Sequence, residues 1–133
     1  MKTIGFICIH NSCRSQIAEA WGKNMLKDIA VVYSAGTEDY PEIKPLVACV
    51  MNEVGIEINT QYPKRLSEIP AELDILITMG CGVKCPSIPS KYREDWGIDD
   101  PSGQPIAAFR LTRAAIENKI KELKVRILDK EFE

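Results

Sequence analysis

Three nearly uninterrupted apolar runs organise the chain. Residues 3 to 8 carry Ile4, Phe6, Ile7 and Cys8; Ile29 to Ser34 and Leu73 to Met79 form the other two. Short runs of this kind, rich in β-branched residues, predict strands covered on both faces. Between them the spacing becomes helical. From Ser15 to about Lys27 the apolar positions are Ile17, Ala20, Trp21, Met25 and Leu26, leaving Lys23, Asn24 and Lys27 to solvent. A second helix is predicted from about Pro45, burying Leu46, Val47, Val50, Met51 and Val54, with Gly55 where a C-terminal cap belongs. A third should follow Gly103-Gln104-Pro105 to about Leu123 through Ile106, Phe109, Ala114, Ile116, Ile120 and Leu123. Val125 to Leu128 can extend it, and the last residues read as frayed.

The remaining signals are shorter. Ile56 to Asn59 alternates like an edge strand, Tyr62 to Pro70 reads as loop or broken helix, and Gly80 to Pro89 as a Gly/Cys/Pro loop. Trp96-Gly97-Ile98 looks like a short fourth strand leading to Asp99-Asp100-Pro101. Strands alternating with helices imply parallel crossover units. The expected fold is therefore a three-layer α/β/α domain spanning residues 1–133 around a small four-stranded parallel sheet. In such sheets ligands bind beyond the carboxyl ends of the strands. The segments Cys8 to Ser15, Gly80 to Cys85 and Asp99-Asp100 all lie at such ends.

Composition narrows the classes. With 133 residues there is room for one core, and 45% apolar with 27% charged residues is ordinary for a globular protein. A net charge of -2 gives no general affinity for nucleic acid or membrane, so any anion site must be local. No apolar run approaches a membrane span, and Met1-Lys2-Thr3 leads straight into a strand rather than a signal peptide. A cytoplasmic location is expected, where thiols stay reduced. Five cysteines fit a disulfide framework poorly and read instead as catalytic, redox or metal residues.

The loop Cys8-Ile9-His10-Asn11-Ser12-Cys13-Arg14-Ser15 has the parts of an oxyanion trap. It lies between a strand and a helix start, where chain amides and the helix dipole favour negative charge. Arg14 offers a planar fork to two oxygens. Cys8 supplies a nucleophile that the same field favours as thiolate. The plain alternative is a buried strand-end cysteine beside a surface arginine.

Together with Tyr33-Ser34-Ala35-Gly36-Thr37 and Trp96 to Pro101, this loop resembles the low-molecular-weight protein tyrosine phosphatase superfamily. The closer likeness is to its thioredoxin-coupled arsenate reductases, which share the Asn-Ser-Cys-Arg-Ser loop, a cysteine pair after the third long strand, and Trp-Gly-x-Asp-Asp-Pro. The resemblance implies that Cys8 attacks arsenate, held by Arg14 and the loop amides of residues 8 to 15. Ser15 would stabilise the thiolate, Asn11 would hold the loop, and Asp100, next to Pro101, would protonate the departing oxygen. Cys81 and Cys85 would then carry a disulfide outward to thioredoxin. No metal or cofactor is implied. The alternative within the same superfamily is hydrolysis of phosphotyrosine or small phosphate esters, which needs only Cys8, Arg14 and Asp100. The residues after Pro101, Ser102-Gly103, lack the aromatics that phosphatases of the family usually place there.

Other readings attach to single residues. Cys81 and Cys85 are separated by only three residues, fewer than is typical of the family; they could be ordinary loop thiols, or ligands of a zinc site with His10 and Cys13. Cys13 reads as packing behind the loop, with a protective disulfide to Cys8 as the sharper alternative. Cys49 reads as packing, His10 as solvent-facing, and Asp99 as a turn acid. Glu19 and Ser34 match positions that help bind potassium in some reductases, but further ligands after Ile58 are not evident.

Overall fold

The computed structural model describes residues 1–80 and 88–133. Four parallel strands, β1 (Lys2–Cys8), β2 (Ala30–Gly36), β3 (Leu73–Thr78) and β4 (Ser90–Asp95), form one sheet in the order β2-β1-β3-β4. Among the described residues the helices are α1 (Arg14–Met25), α2 (Pro45–Glu53) and α3 (Ile106–Leu128), with one 3-10 turn at Leu66–Glu68. The α/β class and the parallel sheet are those the hydrophobic pattern implies.

β1 is central, and its last five residues are buried. One face of the sheet presents Ile4, Phe6, Val32, Ile75 and Ile77 to the three helices. There α1 is enclosed from Ser15 to Gly22, and α3 inserts Phe109, Ile116, Ile120 and Leu123 at helical spacing. Truncating a fully buried residue here, such as Ile120, should cost about 2–5 kcal/mol because the space cannot fully collapse. The other face holds Ile7, Ala35, Leu73 and Leu76, covered among the described residues by Leu66, Ile69 and Ile88. Among the described residues this cover consists of one 3-10 turn and loops.

Several expectations need correction. The fourth strand is β4, six residues earlier than Trp96 to Ile98. It is an exposed edge strand and so has no apolar pattern to betray it. The Trp96 amide still bonds to the Thr78 carbonyl at 2.9 Å, and the chain then drops onto the core; Trp96 and Ile98 are both buried, and Trp96 packs against Phe6 with ring centroids 5.5 Å apart. Ile56 to Asn59 makes no ladder. Ile58 is buried in a turn, with its carbonyl accepting the Gln61 amide at 2.9 Å. Cys49, Val54 and Ala114 are exposed, while Thr112 takes a buried place on α3. The terminus is not frayed. Phe132 is buried against Tyr92 and Arg126, and its carbonyl accepts a bond from Lys2 Nζ at 3.0 Å. Gly55 does follow α2 with φ +77°, the left-handed geometry a glycine cap supplies.

The order β2-β1-β3 means that the connections after β1 and β3 leave to opposite sides. A crevice therefore opens beyond the carboxyl ends of β1 and β3. Cys8 ends β1, and Met79-Gly80 follows β3.

Candidate active site

The turn after Cys8 is fixed by the strand beside it. Cys8 pairs in register with Gly36, and the Thr37 and Glu38 amides donate to the carbonyls of Cys8 and Ile9 at 3.1 and 2.8 Å. A Cβ on residue 36 would lie 2.7 Å from Ile9 O and 2.8 Å from the His10 carbonyl carbon. Only glycine lets the turn pass that close.

Asn11 is the keystone of the loop. It is fully buried at φ 54°, a backbone region that asparagine tolerates better than most residues. Its Oδ1 accepts the Lys64 amide and Gln16 Nε2, both at 2.9 Å. Because the Lys64 amide can only donate, the orientation of the Asn11 amide is determined. Nδ2 then donates to Ser15 Oγ at 2.8 Å and Ser34 Oγ at 2.9 Å. Ser15 Oγ lies 2.8 Å from Cys8 Sγ, and its hydroxyl donates there whenever Cys8 is a thiolate. The Asn11 amide adds a second donor to that sulfur at 3.2 Å. The thiol sits between two directed donors.

The same network runs outward. Ser34 donates to Glu19, which also meets Lys23 and, at 3.1 Å, Lys64 Nζ. Burial pushes the Glu19 carboxyl up, but Lys23, Ser34 and Lys64 outweigh it and hold it below the usual range. At Glu19 the chain brings together two of its own ammonium groups, those of Lys23 and Lys64. Lys64 and Gln16 were not singled out from the sequence, since neither lies in the loop; the fold brings them there from 3-10-flanking chain and from α1.

Arg14 opens α1 and is turned into the pocket by its NH1 group, which donates to the Met79 and Ile98 carbonyls at 2.8 Å each. That leaves NH2 toward the pocket, 3.9 Å from Asp100 Oδ2. Asp100 is half exposed and accepts the Ser102 hydroxyl and amide at 2.7 and 3.0 Å. Burial raises its carboxyl, yet Ser102, Arg14 and Lys44 prevail and hold it below the ordinary carboxylate range.

These residues line one cavity of about 290 Å³: Cys8, Ser12, Arg14, Tyr40, Lys44 and Asp100, with Ile9, His10, Cys13 and Ser102 around them. A groove of about 500 Å³ between residues 41–48 and 57–63 is larger but is lined by no cysteine. Chemistry, not size, marks the smaller cavity. His10 stands at its rim, stacked on Tyr40 with centroids 4.8 Å apart and half exposed. Asp99 borders a separate depression. Cys13 is buried, and burial, then Asp100 and Cys8, push its thiol up to about 12, which favours the protonated form. Cys81 and Cys85 lie outside the described residues. Among the described residues no three His, Cys, Asp or Glu side chains gather to hold a metal.

The arrangement can hold a tetrahedral oxyanion between loop amides and a guanidinium, attack it with sulfur, and pass a proton through a carboxyl opposite. Residues 3–133 match the model of the low molecular weight phosphotyrosine protein phosphatase family. The chain is 40% identical over 129 residues to arsenate reductase 2 of Staphylococcus epidermidis, covering 94% of this chain and 98% of that protein. Among solved structures it is similar to an arsenate reductase in the phosphate binding state, with TM-score 0.87 and 34% identity over 96% of this chain and 99% of that one. It is also similar to a thioredoxin-dependent arsenate reductase of Corynebacterium glutamicum, with TM-score 0.78 and 33% identity over 96% of this chain and 62% of that one.

Proposed function

The chain belongs to the low molecular weight phosphotyrosine protein phosphatase family, and on that premise we propose that it is an arsenate reductase working in the cytoplasm. The observation that carries this reading is the Cys8 sulfur, held by Ser15 and the Asn11 amide and facing Arg14 and Asp100, in a chain whose 40%-identical relative is an arsenate reductase. The Cys8 thiolate attacks the arsenic of arsenate, one oxygen leaves as water, and a cysteine-arsenate adduct remains. Arg14 and the loop amides hold the other oxygens. Negative charge arriving beside Asp100 draws a proton onto its carboxyl, which then passes to the departing oxygen.

A second thiol, Cys81, attacks the Cys8 sulfur of the adduct. The S–As electron pair stays on arsenic, which leaves as arsenite in the trivalent state, and the two sulfurs form a disulfide. Cys85 then attacks Cys81, freeing Cys8 and leaving a Cys81-Cys85 disulfide that thioredoxin reduces. Mass spectrometry after arsenate turnover without reductant tests the cascade directly. A Cys81-Cys85 disulfide is the expected product; both thiols free after turnover would sink it.

A second reading is hydrolysis of a phosphate ester, with water instead of a thiol resolving the Cys8 adduct. The His10–Tyr40 stack at the cavity mouth favours it, since a flat surface there can hold a substrate ring. A Cys81→Ser variant separates the two: it should lose arsenate reduction and keep any phosphatase turnover.

A further inference from the structure

We propose that Lys44 is a second cationic oxyanion-binding residue of this pocket, complementing Arg14 and favouring a doubly charged tetrahedral anion. The inference rests on the oxyanion-site reading above. Lys44 immediately precedes α2, where Pro45 fixes the first helical position. Its amide donates to Ser12 O at 2.9 Å, tying this residue to the anion loop. Its ammonium donates to the Tyr40 hydroxyl at 2.7 Å and sits 4.9 Å from that ring's centroid. The side chain is half-buried and lines the cavity shared by Cys8, Arg14 and Asp100.

The need for a second cation follows from charge. The pocket already holds the Asp100 carboxylate, and attack requires a thiolate at Cys8. A dianion entering between them faces two negative charges, while Arg14 supplies one positive charge and commits its NH1 group to two carbonyls. Lys44 is the other full cation among the described lining residues. Lys23 and Lys64 have their ammonium groups on Glu19, whereas Lys44 has no carboxylate ion pair among the described residues. The Tyr40 hydroxyl outweighs burial and, with the Asp100 carboxylate, holds the ammonium in its charged form. One of its three donors is on the Tyr40 hydroxyl, and the other two can turn toward an incoming oxygen.

The test is calorimetric binding of inorganic phosphate to the reduced chain, which requires no turnover. Lys44→Met should weaken binding by about tenfold, the value of one charge-assisted hydrogen bond. Lys44→Arg should restore it to within about threefold of the wild type. Thermal unfolding should be unchanged, because any non-proline residue keeps the amide bond to Ser12; Lys44→Gln repeats the measurement should methionine perturb the loop. In turnover the loss should fall on KM, with kcat little altered. Phosphate affinity indifferent to Lys44 overturns the inference even if the chain reduces arsenate. Lys44-dependent phosphate binding without arsenate reduction supports it and removes the arsenate reading instead.

Discussion

The loop from Cys8 to Ser15 and the wall made by Tyr40, Lys44 and Asp100 face one another across one cavity, yet they are held in different ways. Loop residues Asn11 and Ser15 are fully buried, and Asn11 alone bonds to Cys8, Ser15, Gln16, Ser34 and Lys64. The wall is half exposed. Asp100 leans on Ser102, and Lys44 on Tyr40. A nucleophile must be presented with little freedom, so its supports are over-determined. A proton donor and an accessory cation must admit substrate and change charge, which a dry, cross-tied wall would hinder. Substitutions of the loop's buried support, Asn11, should therefore cost folding and activity together, and wall substitutions activity alone.

The comparison can be broken most directly at Cys8. Cys8→Ser keeps the size and hydrogen bonding of the residue but removes the nucleophile, so turnover should fall on the order of 10⁴-fold or more with near wild-type melting. Residual turnover close to wild type would remove the loop's claim to the chemistry. Asp100→Asn, on the wall, should cost roughly 10²- to 10⁴-fold in kcat with little change in thermal unfolding. A large drop in stability would mean that the wall is as tightly built as the loop.

Asn11→Ala should do what neither of those does. It strands partners in the Lys64 amide, Ser34 and Ser15, and should cost about 2–4 kcal/mol in denaturant unfolding together with most of the activity. Stability within error of the wild type would show the network to be ornamental.

The smallest effect serves as a control away from the cavity. Glu53 on α2 is gripped by Arg110 and Arg113 of α3, and their hydrogen bonds hold its carboxyl down from 4.5 to about 2. A depressed acid contributes stability above its unfolded value and loses it as the pH falls. Stability should therefore decline between about pH 4.5 and pH 2. Glu53→Gln should flatten that decline without touching turnover, and high salt should shrink the effect at so exposed a site. A change in turnover would mean the α2–α3 contact reaches the pocket.

The sheet was legible because β1, β2 and β3 are buried and leave continuous apolar runs in the sequence. β4 was missed for the opposite reason: an exposed edge strand follows hydrogen bonding, which leaves no hydrophobic trace. Ile98 shows the converse, since burial beyond the end of the ladder imitates a strand. Cys8, Asn11, Arg14 and Ser15 could be read because they sit in one turn, where spacing alone fixes their neighbourhood. What lies across the cavity could be read only in part. Asp100 announces itself beside Pro101, whereas Tyr40 and Lys44 stand in a loop with no periodicity, and Lys64 lies 53 residues from Asn11. By itself the sequence determined the strands of the core, the helices that cover them and the residues of the anion turn, all set by local spacing and burial. Only the tertiary structure decided which distant groups support or face that turn, because contacts across a sheet crevice depend on strand order and register rather than on neighbours in the chain.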